Sequence, residues 1–458
     1  MSIKHIQKME ILGYRGFKER ATIDFAIPNG EPGSGLTIIT GPNNSGKSSI
    51  IECLKARSGY NSPSFTSGTR NASIEEVDIK YIIAGKEESI KSIKKGSSET
   101  IREGKDEEYE IFILPSRRMF NPYFAKSEFN RKDHLTNTSL PHQRTSTLSN
   151  FEYRLFNIIK EPTEFNNILS EVLTYMPEWS IDLSDQGSYF LKFFNGNAGH
   201  SSDGMGEGIV SIFAIVDSLY DSAPGDAIVI DEPELSLHPA LQKRLSKLLS
   251  KYAQDRQIII ATHSPYFIDL KSLRNGGNII RVVTGPQGTK VHQASSTTKH
   301  SIQRLSEGNI YNPHVFGLDA RELFFLEDQI ILTEGQEDVL LLPHVAEQAQ
   351  SEITGSFFGW GAGGADNIKH LCTILSDLGY QKVAAILDND KDALRTSLAD
   401  DFPDFHFACI PAKDIRTKKA RKATEEVNGL LNKELNLKHE YLDEVRKLFN
   451  ELSQHMRF

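Results

Sequence analysis

Apolar and polar positions divide this chain into short strands and helices separated by polar tracts. Residues 4–27 alternate: Ile6, Met9 and Ile11 precede the turn Gly13-Tyr14-Arg15-Gly16-Phe17-Lys18, and Thr22-Ile23-Asp24-Phe25 follow it. Period-two patterning on both sides of a turn predicts an antiparallel hairpin. β-prone runs at 36–40, 110–115, 227–230, 257–262 and 278–283 predict strands, and the apolar stretches at 227–230 and 257–262 predict buried ones. Helical spacing appears in 151–178, carried by Phe151, Leu155, Ile158 and Ile159, then Phe165, Ile168, Leu169 and Val172; an apolar helix is predicted over 209–219 and a further helix over 240–250. The tract 58–110 is polar, with a weak strand pattern at 74–83; its stretch 86–106 predicts a mobile, charged excursion. A second strand–helix series begins near 329, with apolar runs at 329–333, 382–387 and 407–411 and a helix over 366–378. Strands alternating with helices predict an α/β protein.

The run 36–40 feeds directly into Gly41-Pro42-Asn43-Asn44-Ser45-Gly46-Lys47-Ser48, which fits G-x-x-x-x-G-K-[ST], and a helix can continue from Ser49. Strand, tight loop and helix is the setting in which backbone N–H groups and a helix N-terminus cradle phosphate. Gly41, Asn43, Asn44, Ser45, Gly46, Lys47, Ser48 and Ser49 are therefore candidate nucleotide ligands, with Lys47 for the β and γ phosphates and Ser48 for Mg²⁺. The run 227–230 ends in Asp231-Glu232-Pro233-Glu234: Asp231 suits the Mg²⁺ shell, and Glu232 suits orienting or deprotonating the attacking water. The run 257–262 ends at His263, placed to sense the γ-phosphate. Arg15 has two settings, near the nucleotide or DNA, or in a solvated turn. The Ser202-Asp203-Gly204 turn before an apolar helix is either an anion-binding cap or an ordinary N-cap.

Taken together, Gly41–Ser48, Ser202-x-Gly204, Asp231-Glu232-Pro233 and Thr262-His263-Ser264 resemble the ABC-type ATPase heads of the SMC and RecF group. The resemblance implies heads that pair head-to-tail, with ATP held between the phosphate loop of one and the Ser-x-Gly signature of the other. It implies Ser202 and Gly204 acting in trans, Glu232 as hydrolytic base and His263 as switch histidine. The signature reads Ser-Asp-Gly-Met in place of Leu-Ser-Gly-Gly-Gln, and no Q-loop glutamine is assigned. Slow or effector-gated hydrolysis is compatible with both departures.

In the second series, the strand 329–333 ends in Glu334-Gly335-Gln336-Glu337-Asp338 and the strand 382–387 ends in Asp388-Asn389-Asp390. Carboxylates gathered at the carboxyl ends of neighbouring parallel strands repel one another, and a hard divalent cation relieves that repulsion. Glu334, Asp338, Asp388 and Asp390 are candidate ligands for Mg²⁺ or Mn²⁺. With Gly363-Gly364, this half resembles the Toprim fold of topoisomerases, primases and OLD-family nucleases, and an ABC head followed by Toprim is the OLD arrangement. Asp338 stands where that family commonly has Glu. Family nucleases use a lysine beyond the Asp-x-Asp strand, and Lys413 is the candidate here, at the head of a basic run through Arg416, Lys418, Lys419, Arg421 and Lys422. That run is either a DNA phosphate track or a solvated face.

The expected fold class is thus α/β: an ABC-type ATPase head over 1–300 with a partly helical insertion at about 58–200, a connector at 301–326, a Rossmann-like Toprim nuclease domain over 327–415, and a charged helical tail over 416–458. Net charge is −9, which excludes a passive nucleic-acid coat but not local basic patches. Cys53, Cys372 and Cys409 lack metal-ligand spacing and favour a reducing compartment. No apolar run reaches membrane-span length, so a cytoplasmic protein is expected. The resemblance implies an ATP-binding and ATP-hydrolysing, metal-dependent DNA endonuclease in anti-phage defence. It would act as a homodimer or higher oligomer, alone or with a partner protein or a retron RNA–DNA hybrid. The competing reading is an ATP-bound sensor or scaffold ATPase with little turnover. A topoisomerase- or primase-like catalyst lacks an evident tyrosine-bearing cleavage domain or zinc-ligand cluster.

Overall fold

The computed structural model describes residues 3–59, 61–116, 118, 123–128, 131, 151–195, 198–201, 206–308, 314, 321, 324–325, 328–419 and 426–457. The chain divides into two compact units, Met1–Gln293 and Ala294–Phe458.

In the first unit, β1 (Ile6–Leu12) and β2 (Ala21–Asp24) form the hairpin that the alternation predicts, with Met9 opposite Ile23. β3 (Leu36–Thr40) leads into α1 (Lys47–Ala56). Then come β4 (Asp78–Ile83), β5 (Lys86–Ser92), β6 (Thr100–Glu103) and β7 (Ile111–Leu114). The excursion expected at 86–106 is therefore two strands of a five-stranded sheet, in the order β2-β1-β4-β5-β6. Its charges are used internally: Arg57, at the end of α1, donates to Glu88 at 2.7 and 2.9 Å, and both side chains are buried.

β8 (Tyr123–Phe124), α2 (Glu152–Ile158), α3 (Pro162–Val172), β9 (Glu178–Leu183), β10 (Tyr189–Asn195) and β11 (Ala198–Ser201) follow, and β8 to β11 form a sheet of their own, whereas β4 to β6, within the span expected as an insertion, join the sheet of β1 and β2. α4 (Glu207–Tyr220) follows, and α2 is fixed to it by Arg154, which donates to both Asp217 oxygens at 2.7 and 2.9 Å. β12 (Ala227–Asp231), α5 (Pro239–Tyr252), β13 (Gln257–Ala261), α6 (Leu270–Arg274), β14 (Asn278–Gly285) and β15 (Gly288–Gln293) complete the unit. The second sheet runs β15-β14-β3-β13-β12-β7, parallel except at β15. A single apolar core joins Met9 and Ile11 of β1, Ile50 and Leu54 of α1, and Ile39, Val229 and Ile259 of this sheet.

The second unit begins with α7 (Ser296–Gly308), whose Thr298 hydroxyl donates to Asp377 at 2.5 Å. The start of the expected connector is thus a packed helix of this unit. β16 (Ile330–Thr333), α8 (Gln336–Gln348), β17 (Ser356–Phe357), α9 (Ala365–Asp377), β18 (Val383–Leu387), α10 (Asp392–Asp401) and β19 (His406–Cys409) follow. The sheet order is β17-β16-β18-β19, all parallel. Next are the short pair β20 (Lys418–Lys419) and β21 (Glu426–Val427), and then α11 (Leu442–Met456). The described residues of 416–458 pack into this unit rather than forming an appended tail. Leu430, Leu431, Val445, Phe449 and Leu452 share one buried core with Ile331 of β16 and Ile386 of β18. Among the described residues, no helix is long and apolar enough to cross a membrane.

Candidate nucleotide and carboxylate sites

β3 delivers the chain to Gly41, whose φ is +139°, and a Cβ there would lie 2.1 Å from the Val282 carbonyl oxygen. Asn44 and Gly46 also have positive φ, +60° and +108°. Gly46 caps α1, so the loop amides and the helix N-terminus meet at one place. The Lys47 ammonium is buried and donates to the Gly41 and Pro42 carbonyls, both at 2.9 Å. Burial lowers its pKa to about 8, against the pull of Glu232, Asp231 and Glu234.

A cleft of about 400 Å³ follows this loop. Asn43, Asn44, Ser45, Gly46, Lys47, Ser48 and Ser49 line it together with Glu232 and His263. Three stretches far apart in sequence thus converge, while Gly41 shapes the turn and Asp231 ends β12 beside Glu232. Ser202 and Gly204 lie outside the described residues. Arg15 lines the same cleft and pairs with Glu52 at 3.0 Å. Burial, with Lys47 adding, holds the His263 imidazole below its ordinary pKa.

Sequence reasoning assigned no role to four groups around this cleft. Thr284 and Thr289 line it, and the Thr284 hydroxyl donates to the Ser45 carbonyl at 2.8 Å, so the β14–β15 hairpin braces the phosphate loop. No local pattern marks either threonine. Glu234 accepts from the Thr262 hydroxyl at 2.7 Å and from the His263 N–H at 2.6 Å, tying the end of β12 to the histidine. Its signal was the last carboxylate of Asp-Glu-Pro-Glu. Arg118 binds the backbone behind Glu232, and its signal was the Ser-Arg-Arg that ends the β7 run.

In the second unit, Glu334 leaves β16 and Asp388 leaves β18, the strand hydrogen-bonded beside it. The Asp388 N–H donates to Glu334 Oε1 at 2.9 Å, joining the two strand ends. Asp338 accepts from the Gly335 N–H at 2.9 Å in the first turn of α8. The 361–364 turn closes on the same place: Ala362 N–H donates to the Thr333 carbonyl at 2.8 Å, and Gly364 N–H to that of Glu334 at 2.9 Å. Burial raises Asp388 to about 8, with Glu334, Asp338 and Asp414 adding, and raises Asp338 to about 6, with Glu334 and Asp414 adding. Burial also raises Glu334. Asp414 is thus part of the cluster, and sequence reasoning passed over it. Asp390 is more exposed and pairs with Lys391 at 3.1 Å. Lys413 is exposed and follows Ala412, whose carbonyl accepts from the Asn389 N–H at 3.3 Å. Arg416 and Lys418 pair with Glu337 at 2.7 and 3.1 Å, and Lys418 also with Asp414 at 2.7 Å. Arg416 and Lys418 of the expected basic track are therefore already paired with carboxylates, and Arg421 and Lys422 lie outside the described residues.

The chemistry of this donor set fits a hard divalent cation: carboxylates crowd together, each held up by burial and by the charges of its neighbours. Among the described residues, however, no three His, Cys, Asp or Glu side chains are arranged to hold a metal ion, so ligation would require side-chain rotation.

Residues 36–269 match the family model described as "AAA domain, putative AbiEii toxin, Type IV TA system". Residues 325–390 match the one described as "Overcoming lysogenization defect protein-like, TOPRIM domain". The curated protein "Endonuclease GajA" of Bacillus cereus (strain VD045) is 26% identical over 223 residues, 47% of this chain and 31% of that protein. The chain therefore spans about a third of the length of that relative. Among solved structures, the SMC head domain from Thermotoga maritima matches with 15% identity and a TM-score of 0.36, covering 63% of this chain and 98% of that one. The Smc head domain with an extended coiled coil, bound to the C-terminal domain of ScpA and derived from Pyrococcus furiosus, matches with 14% identity and a TM-score of 0.43, covering 66% and 99%. The chain belongs to the AAA-domain family so described, and that domain is followed in the same chain by a segment matching an OLD-like TOPRIM domain.

Proposed function

We propose that this chain is an ATP-hydrolysing, metal-dependent DNA endonuclease of the OLD type, acting in anti-phage defence in the cytoplasm. Pairing of ATPase domains, as a dimer or higher oligomer, would gate DNA access to the carboxylate site. One observation carries the reading: a phosphate-loop cleft walled by Glu232 and His263, and a Glu334–Asp388 carboxylate junction, occur in the same chain. The family matches and the partial likeness to an endonuclease support it.

In the first site, Lys47 would leave its loop carbonyls for phosphate oxygens, Ser48 and Asp231 would hold Mg²⁺, and Glu232 would take the proton of the attacking water. In the second, Glu334, Asp338 and Asp388 would hold the divalent ion, with Asp390 close by. Such an ion supplies charge neutralisation and an activated water for phosphodiester hydrolysis. Glu334 would also fix the Asp388 backbone, and Lys413 would offer a cation to the scissile phosphate. Mg²⁺ and Mn²⁺ both suit these oxygen donors. A partner protein or a retron RNA–DNA hybrid would supply the trigger.

The test is plasmid and single-strand cleavage with Mg²⁺ or Mn²⁺, with and without ATP, beside Asp388→Ala. Cutting that needs metal and disappears in the variant is expected; cutting that survives in Asp388→Ala would refute the assignment. A second reading, an ATP-bound scaffold with little turnover, is favoured by the Ser-Asp-Gly-Met signature. Glu232→Gln discriminates: nuclease function that persists without hydrolysis would make ATP structural.

A further inference from the structure

Arg118 sits behind the nucleotide cleft, 3% exposed, just past the end of β7. β7 is the edge strand paired with β12, Ile113 opposite Val229. From there the guanidinium reaches four acceptors. Nη1 donates to the Pro115 carbonyl at 2.7 Å and to the Asp231 carbonyl at 2.8 Å. Nη2 donates to the Glu232 carbonyl at 3.0 Å, and Nε to the Ser211 hydroxyl at 2.7 Å on α4. A rigid planar fork with five N–H donors can span such a set, whereas a lysine ammonium presents its donors from one point.

What the fork holds is a strained residue. Glu232 has a φ of +47°, the left-handed region that a glutamate rarely occupies and that persists only where the surroundings over-determine it. Its N–H donates to the Ala261 carbonyl at 2.7 Å, fixing the peptide before it. Arg118 fixes the carbonyls of Asp231 and Glu232, so the peptides on both sides of the Glu232 Cα are tied. With these tied, the Cα–Cβ direction is set, and the carboxylate is kept on the cleft wall. Ser211 extends the tie to α4. The N-terminal turn of α4 also grips the loop after Glu232: the Ser236 hydroxyl donates to Glu207 at 3.0 Å, and a Cβ on Gly208 would lie 2.3 Å from the Ser236 carbonyl oxygen.

We propose that Arg118 is a positioning residue for ATP hydrolysis: it holds the Glu232 backbone in the left-handed conformation and couples it to α4 through Ser211. The proposal rests on the ATPase reading above. It predicts an effect on turnover with little effect on nucleotide binding, because Arg118 does not line the cleft.

The experiment measures kcat and KM for ATP, nucleotide affinity by fluorescent-nucleotide titration, and melting temperature, for wild type, Glu232→Gln, Arg118→Lys and Ser211→Ala. A misplaced catalytic group costs about 10- to 100-fold in rate, so folded Arg118→Lys should lose that much kcat while its nucleotide Kd stays within about threefold. Ser211→Ala, which removes only the α4 link, should show the same split with a smaller loss, about threefold to tenfold. Unchanged kcat in folded Arg118→Lys, or a loss confined to nucleotide affinity, overturns the proposal. If Arg118→Lys does not fold, unchanged kcat in Ser211→Ala overturns it instead. No hydrolysis by wild type would sink the ATPase reading and this proposal with it. Wild-type turnover abolished in Glu232→Gln upholds the first and leaves Arg118 to be judged on its own variants.

Discussion

Replacing Glu234 by alanine should impair ATP hydrolysis and stability together, while glutamine should be nearly tolerated. The carboxylate accepts from the Thr262 hydroxyl at 2.7 Å and from the His263 N–H at 2.6 Å. Burial raises its pKa, and the two donors oppose that rise. Thr262 has no exposed surface, so its freed hydroxyl cannot turn to water. Two hydrogen bonds to a charged group, at about 1.5–3 kcal/mol each, bracket the loss in Glu234→Ala at about 3–6 kcal/mol. Water can reach the half-buried His263 N–H, which brings the expected value to about 2–4 kcal/mol.

Glutamine keeps the geometry. Its amide oxygen accepts from His263, and its NH₂ group can donate to Thr262 Oγ1, which already accepts from the Ser264 N–H at 3.0 Å. The threonine proton then loses its acceptor, at a cost of about 1 kcal/mol. Because His263 lines the cleft, freeing its backbone should lower kcat by about 10- to 100-fold in the alanine variant. Nucleotide affinity should hold, since the phosphate loop is untouched. Urea unfolding, steady-state ATPase rates and nucleotide titration read the three quantities. Wild-type kcat in Glu234→Ala, or equal losses in both variants, would refute the reasoning.

In chelator, Asp388→Asn should melt above wild type at neutral pH, and with Mg²⁺ or Mn²⁺ it should not cut DNA. The folded carboxyl sits at about 8 against an ordinary 3.8, so the folded chain keeps a proton that the unfolded chain releases. Wild-type stability therefore falls as pH rises between about 4 and 8, and Asp388→Asn should flatten that slope in a pH series of melting curves; superimposable slopes would be contrary. Arg57→Ala strands the Glu88 carboxylate, whose side chain is 4% exposed, and should cost about 3–5 kcal/mol in denaturant unfolding, with Glu88→Leu on top recovering part of it. Phe449→Ala, at a site 1% exposed, should cost the second unit about 3–5 kcal/mol, whereas a detached tail would show no change in its unfolding midpoint.

The parts of this molecule that could be read in advance are those whose determinants are consecutive. β3, β12 and β13 are buried nearly throughout, so each shows as a short run rich in β-branched apolar residues, and each ends where the phosphate loop, Glu232 or His263 is needed. The same holds for β16 and β18, which end at Glu334 and Asp388. What escaped was long-range pairing of charge and of apolar faces. β5 and β6 looked like a charged excursion because Glu88 is satisfied by Arg57, 31 residues away, and Arg102 by carbonyls of Ala56 and Gly59. The spacing of Val445, Leu448 and Leu452 announced a helix with an apolar face, but spacing cannot say that β16 and β18 lie under that face. Arg118 is the sharpest case. Its acceptor on α4 lies 93 residues away and its two at the end of β12 lie 113 and 114 away, so nothing local distinguishes it from the Arg117 beside it in sequence. A group that touches a ligand is constrained by the ligand's shape and leaves a motif. A group that holds such a residue in place is constrained by wherever the fold brings the backbone, and it becomes visible only as a buried donor that ties the backbone of a functional turn to its surroundings.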